Sequence, residues 1–438
     1  MMLQRSMMGE NMFALAAQVA GAVAAPSEPD VMAFVADTML LMISGMVVVF
    51  MAAGFCMLET GLVRAKNAAT ISLKNITLFS IAGLTYYLVG YRLMYDGVDG
   101  GLIGTLGVWS PDALDEPSGT MASSADWFFQ MAFVATAASI VSGTLAERIK
   151  LGPFLLFIVV LTALIYPVAG AWKWGEGWLH VMGFQDFAGS TLVHSVGGWA
   201  ALTGALFLGP RYGKYAPDGR IQKPMPGSNL PLAALGTFIL WFGWFGFNGG
   251  SQLAAGTIED VSAVGKILAN TNMAAAAGVL GAFATAYFVF KKPDLTLVLN
   301  GAIGGLVAIT AGPLDPALWQ SILIGGTGGV LVVVTVPLLD KLRIDDVVGA
   351  IPAHLVCGIW GTLVAALTTQ AEGLNVLSQL GVQALGILAI GAFVASLSAG
   401  VWLALKHTIG LRPTVDEEIA GLDKSELGME AYPDFYTG

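Results

Sequence analysis

The sequence predicts an all-α polytopic membrane protein with eleven transmembrane helices: two five-helix repeats in inverted topology, then a final helix. Three observations lead there. The 438-residue chain is 56% hydrophobic and only 11% charged, about half the charge of a soluble domain. Lys and Arg gather in every second loop. One pattern also occurs twice: Asp, seven residues, His, any residue, Val, any residue, Gly. It runs from Asp186 through His194 to Gly198, and again from Asp346 through His354 to Gly358.

Mean hydropathy is +0.74. The 56 glycines suit helices that pack closely through small residues in a bilayer. The two cysteines, Cys56 and Cys357, lie in apolar runs and imply no disulfide framework. The net charge of −10 says little about partners, since orientation follows Lys and Arg rather than net charge. Nothing points to nucleic acid.

Residues 1–25 carry Arg5, an apolar run from Met12 and a small-residue exit before Pro26. They read as a secretory signal peptide or as an N-terminal extension, so 1–32 is set apart. A membrane domain follows over 33–408, and a tail over 409–438. With about 20 apolar residues per span, the spans fall at 33–58, 67–94, 126–146, 151–171, 188–208, 230–250, 263–289, 296–313, 317–339, 347–368 and 378–406. Basic loops hold Arg64 and Lys66, then Arg148 and Lys150, then Arg211 to Lys223. Lys291 and Lys292 follow, then Lys341 and Arg343, and finally Arg412. The alternate loops are nearly free of Lys and Arg, with Lys173 the exception. The positive-inside rule then puts the N-terminus outside and the tail in the cytoplasm.

Spans one to five and six to ten form two groups, and an odd group size inverts the second. His194 is entered from outside at Asp186, and His354 from inside at Asp346. Eight helical residues rise about 12 Å, and half a hydrocarbon core is about 15 Å. Both histidines therefore reach the midplane, where inverted-repeat transporters place their sites.

A membrane histidine faces a cavity or a polar partner. The plainer reading of one such residue is an interhelical hydrogen bond, but two in matching positions point to function. Metal binding wants three or four ligands, and only Cys357 stands near, so no metal site is expected. Two neutral imidazoles can share a proton, one donating and one accepting, and can relay a proton near neutral pH. Asp186, Asp345 and Asp346 read as helix caps; Asp186 could also bias an outer vestibule toward cations. Trp172, Trp174 and Trp178 fit an interfacial belt or a cation–π site. Phe133 and Phe247 read by themselves as core residues. In Trp241–Ser251 the glycines suggest close backbone approach, and the Ser251 hydroxyl lies at the outer end.

At these residues the chain resembles the ammonium transporter family (Amt/Mep, with the Rh proteins as distant relatives). The segment from Asp186 to His194 resembles its best-known motif. Ala53–Arg64, Leu145–Ile149, Gly243–Asn248, His354–Gly358 and the tail from Gly421 to Pro433 resemble further segments in the family's order. The resemblance covers about residue 33 to the end. It departs at Ser190, where the family more often has Gly.

The resemblance implies an eleven-span homotrimer in the plasma (inner) membrane, with one pore per subunit. It implies an outer ammonium site of Trp174, Phe133 and Ser251, a phenyl gate of Phe133 and Phe247, and twin pore histidines His194 and His354. Asp186 matches a supporting carboxylate. The Trp and Ser positions, which Rh proteins lack, favour the Amt branch. No cofactor is implied, and the family often docks P-II-type signal proteins on the cytoplasmic face.

The expected function is ammonium transport: capture at the aromatic site, deprotonation, and passage of ammonia along the twin-His pore, with net charge movement. An ammonium sensor is a rival, although only about thirty residues follow the last span, too few for a signalling domain. A passive ammonia channel is another. An enzyme is not expected: no paired nucleophile, carboxylate dyad or phosphate loop is present.

Overall fold

The computed structural model describes residues 28–110, 121–222 and 225–433. The expected signal peptide or extension at 1–25, and Lys223, lie outside them. Among the described residues there is no strand, only an isolated bridge between Tyr215 and Ile221. Nine helices among the described residues are long and apolar enough to cross a membrane, and two apolar ones are shorter. In order they are α1 (Glu28–Leu62), α2 (Ala65–Tyr95), α3 (Ser123–Thr144), α4 (Leu151–Ala171), α5 (Ser190–Leu208), α6 (Leu230–Gly250), α7 (Ile258–Phe290), α8 (Leu295–Ile309), α9 (Leu318–Lys341), α10 (Ile351–Ala365) and α11 (Val376–Thr408). The short ones are α8 and α10. They take the places of the eighth and tenth expected spans. Two tail helices follow, α12 (Val415–Ala420) and α13 (Leu422–Leu427).

α3 forms the middle of the bundle, buried over nearly its whole length, whereas α7 and α11 present long apolar faces outward. Between those extremes small residues set the spacing. A Cβ on Gly236 of α6 would sit 2.3 Å from the Leu58 nitrogen of α1. One on Gly325 of α9 would sit 2.1 Å from the Ala274 carbonyl of α7. Backbones this close gain dispersion contacts that lipid cannot replace.

The tail end of the bundle is tied by buried ion pairs. Arg211 donates to the Asp345 carboxylate through Nε at 2.8 Å, Nη2 at 2.9 Å and its backbone nitrogen at 2.8 Å. It also lies 3.4 Å from Glu147, which Arg64 pairs with as well. Burial alone pushes both carboxyls up. Arg211 and Arg64 more than reverse this at Glu147, and Arg148 and Arg211 do so at Asp345, so both sit below the usual carboxylate range. Arg148 is fully buried and donates to the Gly209, Thr144 and Asp345 carbonyls at 2.7, 3.0 and 2.5 Å. The tail folds back: Asp423 accepts from the Ala69 and Thr70 nitrogens and the Thr70 hydroxyl at 2.7–2.9 Å.

Candidate functional site

The two Asp–His segments fold alike. After Asp186 the chain turns at Gly189, whose φ of 104° favours a residue without a Cβ, and enters α5 through a π-helical turn, Ser190–Ser195. After Asp346 it turns at Gly349, φ 78°, and enters α10 through a π-helical turn, Ile351–Val356. Each π turn carries the histidine. Such turns leave the regular ladder and cluster at functional sites.

Asp186 holds the first turn together. Its Oδ1 accepts from the Gly189 and Ser190 nitrogens at 3.1 and 2.8 Å, and its Oδ2 from Thr191 and Leu192 at 2.9 Å each. These are the orphan donors of a helix start. The Asp186 carbonyl accepts the Trp174 indole N–H at 3.0 Å, so one residue fixes both the histidine segment and the Trp174 ring. Ser190, the departure from the family pattern, donates its hydroxyl to the Val307 carbonyl of α8 at 2.7 Å. In α10, Asp346 accepts the Ile351 N–H at 2.7 Å and the Thr144 hydroxyl at 3.0 Å. Cys357 instead turns its thiol to the Gly328 carbonyl at 3.4 Å.

The side chains these turns present form a line of rings. The His194 and His354 Nδ1 atoms lie 3.2 Å apart. Phe247 is 5.4 Å from His194, and Phe133 stacks on Phe247 at 3.8 Å with 17° between planes. Trp174 meets Phe133 edge to face at 6.1 Å. At the far end Phe55 lies 6.2 Å from His354. Trp244 stacks on His194 at 4.9 Å, its own N–H held by the Thr310 hydroxyl at 2.8 Å. Ser251 stands above Phe247 and donates to its carbonyl at 2.8 Å, leaving its oxygen free to accept. All the expected site residues meet in this line or support it. Trp244 and Phe55 had no assigned role in the sequence; ring proximity across α1, α6 and α10 leaves no local pattern.

The line begins at one hollow, and a second lies toward the tail end. A cavity of about 150 Å³ is lined by Trp174, Phe133 and Ser251 among others. A cavity of about 520 Å³ at the tail end is lined by Arg211, Asp346, Val348 and Pro352 among others. Between them the gate rings and both imidazoles are buried. With one Nδ1 donating to the other, the rings hold opposite tautomers. One Nε2 is then an N–H donor and the other an acceptor. The His194 Nε2 is buried with no hydrogen-bond partner among the described residues, so it is free for a small guest.

The model of the Ammonium Transporter Family matches residues 39–432. This chain belongs to the ammonium transporter family. It is similar to ammonium transporter Amt2 of Archaeoglobus fulgidus, 41% identical over 424 residues, covering 91% of this chain and 88% of the relative. A putative ammonium transporter of Synechocystis is also 41% identical, with 90% and 88% covered. Among solved structures, one titled Sensor Amt Protein matches with a TM-score of 0.85 at 38% identity, over 90% of this chain and 98% of that one. Candida albicans Mep2 matches with a TM-score of 0.78 at 28% identity, over 93% and 92%. As a family member with many apolar helices, it is a membrane protein.

Proposed function

We propose that the chain moves ammonium across the plasma (inner) membrane as a homotrimer with one pore per subunit. Each subunit then has eleven spans, the N-terminus outside and the tail in the cytoplasm. The observation that carries the reading is the unbroken line of rings from the Trp174 cavity through Phe133 and Phe247 to the histidine pair. Family membership supports the substrate and the trimer. The alternating basic loops support the orientation.

A bare cation at the bilayer centre costs several kcal/mol or more. The Trp174 and Phe133 rings attract it at the mouth, a contribution of about 0.5–2 kcal/mol per ring contact, and Ser251 accepts one N–H. The stacked Phe133 and Phe247 have no room for a hydrated ion. Ammonium passes by breaking one N–H bond. Neutral ammonia then crosses beside His194 and His354, one Nε2 accepting and the other donating. The proton crosses separately: one Nε2 takes it, the shared Nδ1 proton shifts to the other ring, that ring's Nε2 releases its own proton to ammonia at the inner side, and the tautomers swap back before the next transfer. Potassium has no proton to give and keeps its charge, so the apolar lumen rejects it. No cofactor or metal enters this scheme.

The likeness to a structure titled as a sensor favours one second reading, ammonium sensing through a partner at the basic cytoplasmic face. A P-II-type signal protein fits that face. Reconstituted wild-type protein on a solid-supported membrane separates the readings. Ammonium pulses should give current, while potassium pulses should not. Internal alkalinisation without current would mean an ammonia channel, and neither signal would favour the sensor.

A further inference from the structure

The 150 Å³ cavity holds more than the aromatic set. Tyr95, Asp126 and Gln130 line it beside Phe133, Trp174 and Ser251. An ammonium ion brings four N–H donors. Ring faces offer no lone pair, and Ser251, having spent its proton on the Phe247 carbonyl, offers one acceptor oxygen. Several donors would find no protein acceptor there, and each donor buried without one is costly.

Asp126 supplies what is missing. Its Oδ2 takes the Tyr91 hydroxyl at 2.5 Å. Its Oδ1 has only the Gln130 amide, at the outer limit of 3.5 Å, among the described residues. Asp186, by comparison, is served by four backbone N–H groups. Helix capping does not account for Asp126 either. The Ala125 and Asp126 nitrogens bond to the Ala122 carbonyl, and the Ala122 nitrogen to the Thr38 hydroxyl. Beside it, the Tyr95 hydroxyl is buried with no partner among the described residues. An under-served carboxylate and an unpartnered hydroxyl on one small aromatic cavity await a donor-rich cation.

We propose that Asp126 and Tyr95 complete the outer subsite, as the anionic and neutral hydrogen-bond acceptors for a small monovalent cation with N–H donors. This rests on the reading that Trp174, Phe133 and Ser251 receive ammonium, and deepens it. Tyr91 acts as a positioning residue. Its hydroxyl fixes one carboxylate oxygen, and its ring is held at 5.7, 5.1 and 5.4 Å from Tyr86, Tyr95 and Trp109. The carboxylate supplies attraction and the oxygen geometry supplies preference for N–H donors, so methylammonium, with three such donors, should bind less well than ammonium.

The test uses the full-length protein and two readouts. One is the ammonium concentration that half-saturates the current in proteoliposomes. The other is protection of the purified protein from thermal unfolding by ammonium chloride against sodium chloride, which needs no transport. Asp126→Asn should raise the half-saturating concentration about tenfold or more, the loss of a charge-assisted hydrogen bond, and by a larger factor than it lowers the maximal current. Asp126→Glu should recover part of the affinity. Tyr95→Phe, which removes only an unpartnered hydroxyl and carries the test if Asp126→Asn fails to fold, should weaken binding about threefold. Wild-type half-saturation in folded Asp126→Asn, or in Tyr95→Phe, would overturn the assignment. If the wild type passes no current but ammonium protects it in an Asp126-dependent way, the subsite stands and the transport reading falls. No protection and no current in the wild type would end both.

Discussion

Replacing Asp186 with alanine should disable the pore without touching a ring. In the wild-type protein the carboxylate accepts four backbone N–H groups and is fully buried. Alanine leaves all four orphaned at the start of α5. At roughly 1–3 kcal/mol for each unsatisfied buried donor, the cost runs to roughly 4–12 kcal/mol, less whatever water entering the space returns. The π-helical turn can recover part of this only by rearranging, which moves His194 and releases the Trp174 indole from the Asp186 carbonyl. Asp186→Asn keeps one acceptor oxygen but turns an NH₂ toward the other pair of N–H groups, so it orphans two donors, at roughly 2–6 kcal/mol. Thermal unfolding in detergent, with ammonium current in liposomes, should rank the proteins wild type, then Asn, then Ala, on both measures. An alanine variant with wild-type unfolding temperature and current would refute the claim that this carboxylate organises the site.

Other outcomes follow from the same geometry. Phe133→Ala opens the 3.8 Å stack with Phe247 and removes a wall of the cavity. Potassium pulses should then give a current absent from the wild type, and ammonium half-saturation should rise; a potassium-silent variant would argue against the gate. Arg211→Ala takes one buried cationic partner from both Glu147 and Asp345 and leaves them Arg64 and Arg148, so the cost should stay at or below the roughly 3–5 kcal/mol of a fully broken buried pair and still lower the unfolding temperature. Because both carboxyls are held below their usual range, their stabilisation is complete only above the ordinary carboxylate range, at about pH 5 and higher. It is lost as pH falls through the depressed native values. Arg211→Ala should therefore shift the onset of acid unfolding to higher pH, and unfolding followed from pH 7 down to pH 2 checks it. An unmoved onset would mean these pairs do not carry acid stability.

The long helices were legible because a span is a matter of composition, and α4, α5 and α6 lie within two residues of the expected bounds. The short ones were less so. Residues 347–368 were expected as one span, but the positive φ of Gly349 keeps the helix from starting before Ile351. Residues 296–313 end as α8 at Ile309 because the next carbonyls turn away. Thr310 and Ala311 accept the Ala188 and Phe187 nitrogens at 3.0 and 2.9 Å, which seats the Asp186 loop. The repeated Asp–His spacing made the two histidines legible, and their 3.2 Å meeting needs the twofold arrangement that spacing suggested. The π-helical turns had no signal, since they use the same apolar residues as an α-turn. Asp126, Tyr91 and Tyr95 carry no motif or spacing in the sequence that sets them apart. Only the fold brings Tyr95 and Asp126 to one cavity and Tyr91 onto the Asp126 carboxylate, through contacts some thirty residues apart in the chain.

The most direct test of the central claim compares wild type with His194→Ala and His354→Ala, reconstituted side by side on a solid-supported membrane. Ammonium, methylammonium and potassium are pulsed in turn. The proposed pore predicts an ammonium-specific current in the wild type that disappears, or loses its selectivity over potassium, in both variants. An ammonium-specific current of unchanged size in either variant would contradict it, because charge would then be crossing without the histidine pair.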